Sequence, residues 1–358
     1  VSTDDMQVFD ELVLDHVNFY AEDASATAKW LVSGYGFAEY EDGGAFTRLP
    51  DARSVVVGVN QIRFLITQPL ADSHPASSYL TRHGDGVADI ALQVADATAA
   101  YREAVRRGAT PVAEPTERAG LVTATIGAFG DVTHTFVQGR SGTVAAAPTE
   151  ASGSRRVASG AESELGEIDH FAVCVYPGDL DDTVAFYRDV LGFELTFAER
   201  VEVGSQAMIT KVVQSRSGKL TLTLIEPDTH CEAGHINDFL VNHRGPGVQH
   251  IAFTAESIVQ AVDAIGARGV ELLSTPDAYY AALPDRVDLA RYTVDELHSR
   301  NILVDSDHDG QLFQIFTKSV HPRNTIFLEI IERLGARGFG SGNIKALYEA
   351  VERTRDQA

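Results

Sequence analysis

Three ionisable residues sit inside apolar runs: His170 in "IDHFAV", His250 in "GVQHIAF" and Glu329 in "TIFLEII". In the last run, strand alternation puts Phe327, Glu329 and Ile331 on one face and Ile326, Leu328 and Ile330 on the other. Both faces are apolar, so both should be covered. An ionised carboxylate there costs on the order of several kcal/mol unless a cation or strong donors meet it. A metal ion is the simplest such partner. Two neutral imidazoles and one carboxylate make a facial triad, which leaves three adjacent positions of an octahedral ion open. This donor set suits Fe(II), and in the absence of thiolate it suits Mn, Co or Zn as well. Taken singly, each residue has a plainer reading, since a strand histidine is more often a hydrogen-bonded core residue and a strand glutamate often lies at an edge. The argument for a metal is the coincidence of three. His230, His235, His243, His308 and His321 lie in polar or loop-like surroundings and are the competing candidates.

The elements that must position the triad are repeated along the chain. "DHVNFYAEDASATAKWLVSGYGF" from Asp15 is echoed by "DHFAVCVYPGDLDDTVAFYRDVLGF" from Asp169, and "GVADIALQVADATAAYREAVRRGATPV" by "GVQHIAFTAESIVQAVDAIGARGVELL". Each copy reads as a strand, a capping turn and an amphipathic helix stopped by a glycine, at Gly36, Gly108, Gly192 and Gly269. Val184, Tyr187 and Leu191 share one helical face, as a helix lying on a sheet requires. Four βαβββ modules pair into two domains, and the expected fold is α+β. Each domain is a curved, mostly antiparallel open barrel with outer helices and a cupped interior for a ligand. The low-complexity stretch "SGTVAAAPTEASGSRRVASGAESELGE" reads as a linker. The expected division is 1–140 for a first domain without a metal site, 141–166 for the linker and 167–358 for a second domain that carries it. Helical periodicity through Ile344, Leu347 and Val351 closes the second half. Matching the halves places His170 with His16, His250 with Asp89 and Glu329 with Val137, so the first half lacks two of the three ligands.

A chain of 358 residues with 44% hydrophobic content is ample for two packed cores. The formal charge of -22 argues against nucleic acid or an anionic membrane surface as partner, because both call for clustered Lys and Arg. Only Cys174 and Cys231 are present, which excludes a disulfide framework or a cysteine zinc site and fits a reducing cytoplasm. No apolar run approaches the ~20 residues of a membrane span, and the acidic opening stretch does not read as a signal peptide. The expected ligand is a small molecule.

The motifs "GVQHIAF", "QLFQIFTK", "TIFLEIIER" and "GFGSGNIKALYEAVE" resemble those of the 4-hydroxyphenylpyruvate dioxygenase and 4-hydroxymandelate synthase family of the vicinal oxygen chelate superfamily. The resemblance covers nearly the whole chain, both halves in order. It implies Fe(II) held by His170, His250 and Glu329, with 4-hydroxyphenylpyruvate and O2 as substrates and no added 2-oxoglutarate, since the substrate carries its own 2-oxo acid. The dioxygenase branch makes homogentisate; the synthase branch hydroxylates the benzylic carbon and makes 4-hydroxymandelate. Where the dioxygenases read "PINEP" this chain reads "TLIEP", with Thr223 for the proline and Ile225 for the asparagine, and Ile344 stands where they have an aromatic residue. These departures match the synthase branch. By the same resemblance Thr210, Gln249 and Gln314 reach the substrate and Phe316, Phe327 and Phe339 form its aromatic wall, each of which also reads as ordinary core. Asn343 touches substrate or holds the C-terminal helix. His235 replaces the usual glutamine. A homodimer is expected because related folds often pair. A ligand-sequestering protein and a catechol-cleaving dioxygenase of the same superfamily are the alternatives from other classes.

Overall fold

The computed structural model describes residues 8–40, 50–139 and 163–346. Within them four βαβββ modules follow one another. The first sheet holds β1 (Val13–Tyr20), β2 (Ala38–Glu39), β3 (Ala52–Val59), β4 (Ile62–Pro69), β5 (Gly86–Gln93), β6 (Pro111–Arg118), β7 (Leu121–Gly127) and β8 (Thr133–Gln138), in the order β2-β3-β4-β1-β5-β8-β7-β6. The second repeats it with β9 (Leu165–Cys174), β10 (Glu194–Val203), β11 (Gln206–Gln214), β12 (Thr221–Pro227), β13 (Gly247–Ala255), β14 (Leu303–Ser306), β15 (Gln311–Phe316) and β16 (Phe327–Leu334), ordered β10-β11-β12-β9-β13-β16-β15-β14. Among the described residues, the parallel strand pairs are β1–β4 and β5–β8 in the first sheet and β9–β12 and β13–β16 in the second. β9 already includes Leu165 and Gly166, so the expected linker runs two residues too far; its residues 141–162 lie outside the described ones.

The helices arise where the repeats put them. Helix α1 (Ala24–Tyr35) starts at Asp23, whose carboxylate accepts the Ser25 and Ala26 amides, and α2 (Pro75–His83) begins with its proline in the first turn. Helix α3 (Ala97–Arg106) is capped by Asp96. In the second half α4 (Leu180–Ala185) continues through one π turn, Phe186–Val190, and Val184, Tyr187 and Leu191 are all buried. Helix α5 (His235–His243) precedes β13, and Ser257 caps α6 (Ile258–Ala267). Gly36, Gly108, Gly192 and Gly269 have φ of 74, 109, 72 and 85°, the left-handed conformation that glycine adopts without strain and that ends a helix. Residues 341–346 are helical, and Leu347 and Val351 lie outside the described residues. No helix among the described residues is long and apolar enough to cross a membrane.

One apolar core runs through both halves, with Phe253 of β13 packed on Phe37 and Phe64 at ring distances of 6.0 and 6.3 Å. Polar contacts join them too. His134 Nε2 lies 2.9 Å from the Tyr187 hydroxyl, and His83 stacks on His243 with ring centres 4.3 Å apart.

Candidate metal centre and substrate cup

His170, His250 and Glu329 come from three adjacent strands, β9, β13 and β16. Sheet register sets their meeting: Ala252 of β13 is the direct partner of His170 on one side and of Glu329 on the other, and His250 is one row away on the same face. Ala252 is fully buried, and its single methyl leaves the space between the two ligands open. The ligand atoms of the three residues all lie within 4.8 Å of one another. Glu329 Oε2 is 3.2 Å from His250 Nε2 and 3.5 Å from His170 Nε2. Glu329 is 3% exposed. Burial is the main force lowering the pKa of His250, and the Glu329 carboxylate only partly offsets it.

The donor set fits a divalent ion. His170 Nδ1 lies 2.8 Å from Asp169 Oδ1 and is the natural donor there, which leaves Nε2 with its lone pair turned toward Glu329. A lone pair facing a carboxylate repels it unless a cation or a second proton lies between. Asp169 is in turn gripped by Arg333, with Nε donating to Oδ2 at 2.7 Å and Nη2 to Oδ1 at 2.8 Å. Burial pushes the Asp169 carboxyl up, but the Arg333 and His170 hydrogen bonds outweigh it and hold the group well below the usual carboxylate range. Sequence reasoning missed this outer layer. The signal was there: an Asp precedes the histidine in both halves, and Arg333 follows Glu329 at the even spacing that shares a strand face.

The aromatic wall assembles around the histidines. Phe327 stacks on His250 at 5.0 Å and 24°, Phe316 stands 5.9 Å from it edge-on, and Phe339 meets the His170 ring edge-on at 5.1 Å. On the far side of the cup Thr210 is the strand partner of Ile225, and Ile225 that of Cys174. Ile225 belongs to a small apolar cluster with Ala172, Cys174, Met208 and Ile236, against which Ile344 packs. Thr223 Oγ1 and Gln314 Oε1 are buried with no protein partner. Gln249 is buried beside His250, where the register between β13 and β9 is irregular. Asn343 is fully buried and places Oδ1 2.7 Å from the Tyr279 hydroxyl, which ties the C-terminal turn to the barrel wall.

A small pocket opens beside Met208, Pro227, Ile236 and Ile344, with His235 on its lining. Burial lowers the pKa of His235, and His250 nearby lowers it further. The other candidate histidines do not join the triad. His230 pairs with Asp228 at the surface, His243 belongs to the contact between the halves, His321 bonds Thr325, and His308 lines a cavity on the outer side of Asp169, Arg333 and Phe339. Among the described residues only His170, His250 and Glu329 form a group able to hold a metal.

The first half answers the same positions differently. His16 pairs with Ala91 as His170 does with Ala252, and Asp89 takes the place of His250. The match of Val137 to Glu329 needs correction. Asp89 faces Thr133 as His250 faces Phe327, so the equivalent of Glu329 is Thr135, two residues before Val137. Asp89 Oδ2 accepts from the Thr133 and Thr135 hydroxyls at 2.6 and 2.8 Å. Burial, partly offset by these donors, raises its pKa to about 6. Two hydroxyls stand where the second half has the Glu329 carboxylate and the Phe327 ring.

Sheet order, paired modules and the buried triad define a two-domain enzyme fold of the vicinal oxygen chelate type, and residues 167–315 match the family model "Glyoxalase/Bleomycin resistance protein/Dioxygenase superfamily". Residues 16–143 match "Hydroxyphenylpyruvate dioxygenase, HPPD, N-terminal". Among curated relatives, the 4-hydroxyphenylpyruvate dioxygenase of Yarrowia lipolytica is 32% identical over 95% of this chain and 91% of its own length. That of Dictyostelium discoideum is 33% identical over 96% of this chain and 98% of its own. Among solved structures, a triple mutant of 4-hydroxymandelate synthase from Streptomyces coelicolor superposes with a TM-score of 0.81 and 38% identity, over 96% of this chain and 98% of that one. The chain belongs to the 4-hydroxyphenylpyruvate dioxygenase family.

Proposed function

We propose that the chain is a non-haem Fe(II) 2-oxo acid dioxygenase of the 4-hydroxymandelate synthase type. It takes 4-hydroxyphenylpyruvate and O2 to 4-hydroxymandelate and CO2 by oxidative decarboxylation and benzylic hydroxylation. On this reading residues 1–140 form a vicinal oxygen chelate domain without a metal and 167–358 the catalytic domain. The observation that carries it is the apolar cluster holding Ile225 and Ile344 on the cup face of the triad, beside Ala172 and Cys174. No amide at residue 225 is there to fix the substrate ring by hydrogen bonding, so side-chain shape decides which carbon faces the centre.

His170, His250 and Glu329 would hold the iron, which when bound would supply redox chemistry with O2 and a Lewis-acidic centre for a 2-oxo acid. The chain's own groups do the rest. Asp169 keeps the His170 proton on Nδ1, and Ala252 keeps the space between the ligands clear. Thr223 Oγ1 and Gln314 Oε1, buried without protein partners, are available to polar atoms of the substrate, and the buried Thr210 and Gln249 are further polar candidates. Phe316, Phe327 and Phe339 pack against the histidine rings and exclude water from the reacting atoms.

The second reading is 4-hydroxyphenylpyruvate dioxygenase, making homogentisate, and the names of the curated relatives favour it. Fe(II)-loaded protein given 4-hydroxyphenylpyruvate and O2 decides between them by chromatography against both standards, since the two products are isomers. 4-Hydroxymandelate is the expected product. Homogentisate would keep the iron chemistry and overturn the reading of Thr223, Ile225 and Ile344.

A further inference from the structure

Arg333 is engaged on two sides at once. On β16 it lies four residues beyond Glu329 and so on the same face. Its Nε and Nη2 clamp Asp169, while Nη1 donates to the Ala336 and Gly338 carbonyls at 3.2 and 2.6 Å. The guanidinium also stands over the Phe339 ring, 5.0 Å from its centre, and that ring meets His170. These carbonyls belong to the strap of residues 335–343, which lies against β14, β15 and the turn between them. Asp307 Oδ2 accepts the Arg337 and Gly338 amides, each at 2.6 Å, and Gly340 packs so tightly on Gln314 that a Cβ there would come within 2.0 Å of Gln314 Oε1.

In the first half the Asp15–His16 pair is kept at 2.6 Å, but its nearby positive charge is Arg63 of β4, remote from the strand equivalent to β16. The Asp-His pair therefore persists where there is no triad. The guanidinium on the ligand strand belongs to the catalytic half.

We infer that Arg333 is a positioning residue that couples the orientation of His170 to the closure of the 335–343 strap, so that holding a metal and closing the site are one event. The inference rests on the reading of the triad as a metal site. Lifting the strap strips Nη1 of its acceptors and loosens the fork on Asp169, which then no longer fixes the His170 ring. Linkage makes the effect reciprocal: a metal that needs a fixed His170 must also favour the closed strap. A lysine keeps the charge but has no planar fork with which to serve both sides.

The test uses Co(II) alone as probe on the full-length apoprotein, reading its affinity by competition with a chromogenic chelator and the exchange of strap amides 336–340 by mass spectrometry. In the wild type Co(II) should slow strap exchange. Arg333→Lys should bind Co(II) about 10–100-fold more weakly, the range for lost outer-layer partners, with fast strap exchange that Co(II) no longer slows. Asp169→Asn should weaken Co(II) to a similar extent and leave the metal-free strap as in the wild type, because the carbonyl bonds of Arg333 remain. Co(II) affinity of Arg333→Lys within about twofold of wild type would make Arg333 a strap anchor only and overturn the coupling. If that variant does not fold, the wild type decides: uptake of Co(II) with no slowing of strap exchange overturns the coupling alone, whereas no uptake of Co(II) overturns the metal reading itself.

Discussion

Replacing Glu329 by Gln should move stability in opposite directions with and without metal. Glu329 is 3% exposed, and the two imidazole Nε2 atoms that face it, at 3.2 and 3.5 Å, lie beyond the roughly 2.7–2.9 Å of strong charge-assisted bonds. The carboxylate is therefore buried and poorly met until a cation arrives. A neutral amide of the same shape avoids that burden and should stabilise the metal-free protein by about 1–3 kcal/mol. For a domain of this size that is about 2–12 °C in melting temperature. Loading works the other way. At a metal concentration about 1,000 times Kd the wild type gains roughly 4 kcal/mol, while a variant binding about 100-fold more weakly gains roughly 1.4 kcal/mol. With a metal-free gain near 2 kcal/mol, the order of the two melting temperatures should reverse between metal-free and loaded samples. Thermal unfolding of both proteins with a chelator and with Fe(II) or Co(II) under nitrogen measures this. A metal-free Glu329→Gln that melts below the metal-free wild type would refute the reasoning, since it would mean that protonated imidazoles already satisfy the carboxylate.

In the first half, Asp89→His with Thr135→Glu should restore a triad with His16, raising bound Co(II) from one to two ions per chain by equilibrium dialysis; a ratio unchanged in a folded variant would show that the register equivalence is not enough. Stability should fall with acid because His134 and His243 both have pKa values pulled down to about 4, each by burial first and His243 further by His83. An unfolded imidazole near 6.5 protonates first, so the contribution of each is whole above pH 6.5 and is lost towards pH 4, by up to about 3 kcal/mol. Asp89, raised by burial to about 6, acts in the opposite sense across the same window. Urea unfolding at about pH 7 and pH 5 should show a smaller difference for His134→Phe than for the wild type, and an equal difference would count against this assignment. Thr223→Pro with Ile225→Asn and Ile344→Phe should shift product toward homogentisate; an unchanged product ratio in an active variant would mean the apolar cluster does not decide where oxygen goes.

The sequence shows the modules and the three residues that cluster in the second cup because each rests on a local pattern: a strand with one ionisable residue among apolar neighbours, a capped helix, a glycine stop. It also shows the Asp-His pair in both halves. It does not show what the aspartate is for, because Arg333 is separated from Asp169 by 164 residues and reaches it only once β13 pairs with both β9 and β16. The offset between Val137 and Thr135 has a related cause. A slip of one residue would turn the strand over and betray itself, but a slip of two keeps the same face, and alternation cannot detect it. Only the partner strand fixes the row, through Asp89 and Thr133 in one half and His250 and Phe327 in the other.

Once the rows are fixed, the two cups become a controlled comparison within one chain. Both keep an Asp-His pair, and both keep a fully buried alanine, Ala91 or Ala252, as the strand partner of that histidine. They differ in what faces the histidine: two hydroxyls on a carboxylate in the first, a second imidazole and a carboxylate in the second. The first cup closes the same strand order without a triad. Sheet pairing and the shared apolar core are therefore sufficient to build the barrel, and a metal in the second cup has no structural work to do that the first leaves undone. Metal removal should accordingly leave the strand order and the contact between the halves intact and act on Glu329, His170 and the strap alone. A metal-free protein whose exchange rises along β9 and β13 as well as in the strap would show that the ion holds the sheet and not only the site.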